Sequence, residues 1–168
     1  MFVVIEHGSR RLVHCNVTAD STVAWRLQQL REVLGLDHPY QFLLHDRDCI
    51  FSRELDESIE ALGISVLRSA PHSPNMNAIC EHVIGTLRRE CLDGRVPLSE
   101  SHLRALLRAW IRLYNRARPH RALGPAIPDP PLAAIPRSAS RHRHAESYAV
   151  KAEPILGGLH HEYRLVAA

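Results

Sequence analysis

Asp46 closes the run Gln41-Phe42-Leu43-Leu44-His45, and Glu81 sits inside Ser73-Pro74-Asn75-Met76-Asn77-Ala78-Ile79-Cys80-Glu81-His82. A carboxylate at a strand end and another on a helix rim can converge on a divalent metal ion. Magnesium is usually held by one or two carboxylates, with water and substrate phosphate completing its shell. In a two-metal site, ions about 3.5 to 4 Å apart serve the attacking and the leaving oxygen of a displacement at phosphorus. The chemistry would be phosphodiester hydrolysis or transesterification. On spacing alone, Asp46 can equally turn a loop and Glu81 can be a solvated helix residue, so the surrounding residues must decide.

The elements that would position these acids follow from periodicity and punctuation. Phe2 to Glu6 and Arg11 to Thr18 flank His7-Gly8-Ser9-Arg10 and predict an antiparallel hairpin. Asp20 or Ser21 can cap a helix carrying Val23, Leu27, Leu30 and Leu34, which Gly35 stops. Gln41 to His45 reads as a buried strand that delivers Asp46. Ser52 to Leu62 is a helix closed by Gly63, Ile64 to Leu67 a further strand, and 68–74 a loop. Two longer helices are expected over about Asn75 to Leu92 and Glu100 to Arg118, the second ended by Pro119. Strands alternating with helices indicate an α/β layer structure.

On the helix of Glu81, Asn77 lies one turn before, Gly85 one turn after and Arg88 two turns after, forming a polar stripe. Ile79, Cys80, Val83, Leu87 and Cys91 gather on the other side, so the helix can bury one face and hold Glu81 at its rim. Beyond it, Pro125, Pro128, Pro130, Pro131 and Pro136 break regular structure, and Leu123 to Ala152 is expected to be an extended tail. Gly157 to Val166 suits a small terminal strand that docks back.

The length of 168 residues fits one ordinary domain plus a tail. No run approaches the roughly 20 apolar residues of a membrane span, and Met1 does not open a secretory signal, so a cytoplasmic protein without membrane association is expected. Cys15, Cys49, Cys80 and Cys91 show no paired spacing, fall within apolar or helical stretches and read as reduced, buried thiols. His142, His144, His160 and His161 lie in or near the tail, where a metal site is not expected.

The net charge of +3 is unevenly spread: from Thr86 to Arg121 nine arginines face three acids. Lys151 is the only lysine, so the positive surface is built from guanidinium groups, which suit phosphate geometry. Arg104, Arg108, Arg112 and Arg116 recur every four residues beside an apolar face of Leu103, Leu107, Trp110 and Tyr114. The stripe is either a solvated helix face or a set of phosphate contacts, whose binding would be strongly salt dependent.

His45-Asp46-Arg47-Asp48-Cys49-Ile50-Phe51, Ser73-Pro74-Asn75 to Glu81, Gly85-Thr86-Leu87-Arg88-Arg89-Glu90-Cys91-Leu92-Asp93 and Tyr114-Asn115-Arg116-Ala117-Arg118-Pro119-His120-Arg121-Ala122-Leu123-Gly124 occur in that order. Together they resemble the integrase catalytic core of bacterial insertion-sequence transposases, within the DDE, retroviral-integrase-like superfamily. The resemblance runs from Phe2 to about Gly124. It implies an α/β, ribonuclease H-like integrase core with a mixed sheet and flanking helices over 1–122, followed by an extended Pro-rich tail over 123–168. It makes Asp46 the second and Glu81 the third catalytic, metal-binding acid. Asn77, Arg88 and Arg89 become candidates for DNA contact near the site, joined by Arg104, Arg108, Arg112 and Arg116.

The resemblance also implies Mg²⁺ or Mn²⁺ as cofactor, two ions in a complete site, with DNA as partner at transposon ends and target, and homo-oligomerisation. The family's first acid, on a central first strand of the sheet, has no counterpart here, and Glu6 matches a non-catalytic position. These residues therefore read as an N-terminally truncated core lacking that strand, marginally stable and with little or no catalysis. Asp48 stands where many relatives have glycine, and His82 follows Glu81 where arginine is common. The alternative expectation is a non-catalytic nucleic-acid-binding or oligomerisation module derived from a transposase.

Overall fold

The strands Phe2–Ile5 (β1) and Leu12–Asn16 (β2) pair as the expected hairpin, with the Glu6 N–H donating to the Arg11 carbonyl at 2.8 Å across the turn. The structure, a computed structural model, describes residues 1–35, 37–46, 51–70, 77–124, 126–130 and 148–168. Chain contacts divide it into two units: Met1–Ile5 with Val13–Thr86, and Glu6–Leu12 with Leu87–Ala168.

In the first unit, helix α1 spans Val23–Leu34. Its cap is Thr22, whose hydroxyl accepts from the Trp25 N–H at 3.1 Å, rather than Asp20 or Ser21. Only the residue directly before the first helical position can reach that amide. Gly35 ends the helix at φ +60°, a conformation that suits glycine.

Strand β3, Phe42–His45, pairs in parallel with β4, Ser65–Arg68, and helix α2, Arg53–Glu60, forms the crossover between them. Ser52 caps α2, and Gly63 at φ +85° turns the chain into β4. The register sets Phe42 against Ser65 and His45 against Arg68, so Arg68 ends its strand beside the residue that precedes Asp46. Leu30 and Leu34 of α1, Leu55 and Ile59 of α2 and Ile64 form the core, with Phe2, Val4, Leu43 and Val66 packed on it. Burying each such aliphatic side chain contributes roughly 2 kcal/mol, and the shared core ties both strand pairs to the two helices.

Parallel and antiparallel pairs both occur, as a mixed α/β fold requires. Among the described residues, however, β1–β2 and β3–β4 are separate two-stranded sheets rather than one mixed sheet. With β4 as its sole partner there, β3 is less buried than its apolar sequence predicts: His45 is buried, but Phe42 is exposed.

Helix α3 covers Ala78–Leu87, and the chain continues as a π-helical segment, Arg88–Leu92, where one long α-helix is expected. In the second unit, helix α4 runs Glu100–Arg116, capped by Ser99, and buries Leu106, Leu107, Trp110, Leu113 and Tyr114. Asn115 clamps the backbone of Leu12, donating to its carbonyl and accepting from its N–H, both at 2.9 Å. Glu90 of the π-helical segment takes Arg118 in a two-pronged ion pair, with Nη2 at 2.7 Å from Oε1. The guanidinium of Arg118 lies 5.9 Å from the centre of the Tyr114 ring.

The expected extended tail is largely replaced where it is described. Arg121–Leu123 form a 3-10 turn, His120 bridges to Ala126, and Asp129 binds Arg116 at 3.0 Å. Tyr148–Ile155 (β5) and His160–Ala167 (β6) form an antiparallel hairpin of two eight-residue strands instead of one short terminal strand. Its turn end is fastened where the His160 ring meets the Glu90 carbonyl at 2.7 Å. His142, His144 and Pro131 to Ser147 lie outside the described residues, as do Pro125, Cys49 and the expected helix start at Asn75. Among the described residues no disulfide joins Cys15, Cys80 or Cys91; Cys91 is buried as expected, while Cys15 and Cys80 are only half-buried.

Candidate active site

Asp46 follows β3 directly and is half-buried. Its Oδ2 accepts from the side-chain amide of Asn77 at 3.4 Å. Asn77 immediately precedes α3, and its carbonyl accepts from the Glu81 N–H at 3.1 Å. Glu81 therefore stands one helical turn beyond the residue that touches Asp46, on the same side of the helix. Its side chain is exposed, as a rim position requires.

Cys80, the residue before Glu81, responds to both carboxylates. Burial pushes its thiol above the ordinary value, and Asp46, then Glu81, push it further by disfavouring a nearby thiolate. The structure thus brings Asn77 to Asp46, with Glu81 one helical turn further along α3. Asn77, expected as a DNA contact, directs its amide to a carboxylate.

Two carboxylates offering hard oxygen ligands suit a magnesium or manganese ion. Among the described residues, no group of three or more His, Cys, Asp or Glu is arranged to hold a metal.

Three residues beside the site escaped the sequence reading. His45 faces Asp56 through Nε2 at 3.0 Å, with both side chains almost fully buried. Asp56 also accepts from Arg68, whose Nε lies at 2.8 Å and whose Nη2 is in contact. A signal existed: Asp56 adjoins Leu55 and lies three positions before Ile59, so it falls on the apolar side of α2.

The remaining candidates lie in the second unit. Arg88 and Arg89 are exposed, and Arg88 pairs with Asp93 at 3.6 Å. On α4, Arg104 pairs with Glu100 at 2.6 Å and Arg116 with Asp129 at 3.0 Å, while Arg108 and Arg112 are exposed. The stripe is therefore half engaged in surface ion pairs. Such pairs contribute little stability.

The fold defines a class: a mixed α/β fold matching the retroviral integrase core. A chain of a simian T-cell lymphotropic virus intasome, solved in complex with the PP2A regulatory subunit B56 gamma, shares the fold. It superposes with a TM-score of 0.58 at 14% identity, over 96% of this chain and 59% of that one.

Residues 62–128 match the integrase core domain family, a stretch that includes Asn77, Glu81 and α4 but not Asp46. An uncharacterized 31.7 kDa protein of insertion element IS407, from Burkholderia multivorans, is 36% identical over 77 residues, 46% of this chain and 28% of that protein. The resemblance to integrase cores is thus found in sequence and in fold alike. The matches span about a quarter of the insertion-element protein and under two thirds of the intasome chain.

Proposed function

We propose that these residues belong to the catalytic core of a transposase or integrase that acts in DNA integration and transposition by metal-dependent strand transfer. The observation that carries this reading is the 3.4 Å contact between Asn77 and Asp46, one helical turn from Glu81. Asp46 and Glu81 would hold Mg²⁺ or Mn²⁺, two ions in a complete site. The ions supply activation of the attacking oxygen and charge neutralisation at the leaving one. Asn77 orients the Asp46 carboxylate. The exposed guanidiniums of Arg88, Arg89, Arg108 and Arg112 would bind DNA phosphates at transposon ends and target.

The partner is DNA, the working form is a homo-oligomer and the setting is cytoplasmic. Among the described residues, no helix is long and apolar enough to cross a membrane. With two carboxylates between two ions, the 168 residues by themselves should bind metal and DNA but transfer strands poorly. A Mg²⁺- or Mn²⁺-dependent nicking and strand-transfer assay tests this: weak, metal-dependent nicking lost in Asp46→Ala and Glu81→Ala supports it. Nicking that survives both substitutions contradicts it.

A second reading is a non-catalytic DNA-binding or oligomerisation module derived from a transposase. Exposed Arg108 and Arg112 favour it. Salt-sensitive DNA binding with no nicking in either metal would select it.

A further inference from the structure

The parallel ladder ends at the pair His45 and Arg68, so the sheet does not itself hold Asp46. A buried network at that point does. The His45 ring directs Nδ1 to the carbonyl oxygen of Asp46 and Nε2 to Asp56 Oδ1 at 3.0 Å. It stacks on Phe51 with ring centroids 4.0 Å apart and planes 11° from parallel. The His45 and Asp56 side chains are 4% and 5% exposed. Arg68 reaches across the ladder to the second oxygen of Asp56, and the Ser69 N–H donates to the His45 carbonyl at 3.0 Å.

The geometry points to Asp56 and His45 as positioning residues for Asp46, an inference that rests on the metal-binding reading above. Neither touches the metal site; they act through the backbone of Asp46. Both ring nitrogens lie against oxygens, so the ring bridges the Asp46 carbonyl to Asp56 of α2 and is itself clamped between them. Fixing that carbonyl limits rotation of the following peptide and so the direction of the Asp46 carboxylate. Rotation is further restricted at the carboxylate itself, where the Asn77 amide arrives from α3. The strand end is thereby held from two sides. Metal ligands need this support, because hydrogen bonds behind a ligand typically govern metal affinity on the order of 10-fold or more. Arg68 keeps Asp56 in place by occupying its other oxygen, so the network is closed at both ends.

The test is a Mn²⁺ titration by electron paramagnetic resonance on the 168-residue chain and on Asp56→Asn, Asp56→Ala and Asp46→Asn. Hydrogen exchange of 42–46 and thermal melts accompany it. The wild type should bind Mn²⁺ and Asp46→Asn should not. Asp56→Ala should bind on the order of 10-fold more weakly, with faster exchange at 42–46 and little change in α1. Asp56→Asn, which keeps the shape of the side chain, should be intermediate, and it decides the matter if Asp56→Ala does not fold.

Wild-type affinity in Asp56→Asn, together with wild-type exchange at 42–46, would overturn the positioning role and leave the metal reading intact. If the wild type binds no Mn²⁺, the metal reading fails and the positioning role fails with it.

Discussion

The side-chain amide of Asn77 donates to Asp46 Oδ2 across 3.4 Å and 31 residues of chain, tying the end of β3 to the start of α3. A hydrogen bond of that length is weak. Its importance is geometric, because Glu81 is the next residue on that face of the helix. Asn77→Ala should therefore cost less than about 1 kcal/mol in denaturant unfolding, yet weaken Mn²⁺ binding on the order of 10-fold. Equal Mn²⁺ affinity in the variant, measured by calorimetry, would show that Asn77 has no part in the site.

Asn115 satisfies both backbone groups of Leu12, and Leu12 is itself buried. Asn115→Ala leaves a donor and an acceptor without partners and should lose roughly 2 kcal/mol of stability. Trp110, fully buried in α4, should lose roughly 3 to 5 kcal/mol on truncation to alanine. Urea unfolding of the two variants should rank them in that order.

Cys80 offers a pH-dependent readout. Its thiol is raised first by burial and then by Asp46 and Glu81. The folded chain thus keeps this proton at pH values where the unfolded chain has lost it. The linked contribution to stability is complete below the ordinary thiol pKa and is lost as pH rises through the raised one. Iodoacetamide modification of Cys80, followed by mass spectrometry, should need higher pH in the native than in the denatured chain. Asp46→Asn should recover only part of the difference, since burial is the larger cause.

Among the described residues, Arg108 and Arg112 of the α4 stripe are exposed and make no ion pair, whereas Arg104 and Arg116 do. If they meet phosphates, the double substitution to alanine should weaken binding to any DNA duplex. It should reduce the slope of log affinity against log salt by roughly 2 units. An unchanged slope in a fluorescence-anisotropy titration would mark this face as merely solvated.

Periodicity made legible that Asp46 follows a strand and that Glu81 lies on a helix, while their reading as metal-binding acids came from the resemblance to integrase cores. The cap of α1 was misread by one or two residues, since Asp20, Ser21 and Thr22 are chemically equivalent candidates and only the first helical residue, Val23, selects among them. The π-helical segment at Arg88–Leu92 was not legible: one widened turn leaves the amino-acid pattern helical.

Strand β5 was hidden by Pro154, which reads as a breaker but is tolerated on the edge of a two-stranded hairpin. The alternation of Tyr148, Val150 and Ala152 opposite Ala167, Leu165 and Tyr163 was the signal available for it. The support behind Asp46 was missed for a different reason. His45, Asp56 and Arg68 meet through the parallel register of β3 and β4, and no local spacing encodes that register.

The most direct test of the joint role of Asp46 and Glu81 is paramagnetic broadening by Mn²⁺ in amide NMR spectra of the chain. Signals of Leu44 to Asp46 and of Asn77 to Gly85 should broaden together at the same metal concentration, and either Asp46→Ala or Glu81→Ala should relieve the broadening at both places. Broadening confined to one of the two segments, or unchanged in either variant, would contradict a shared metal site.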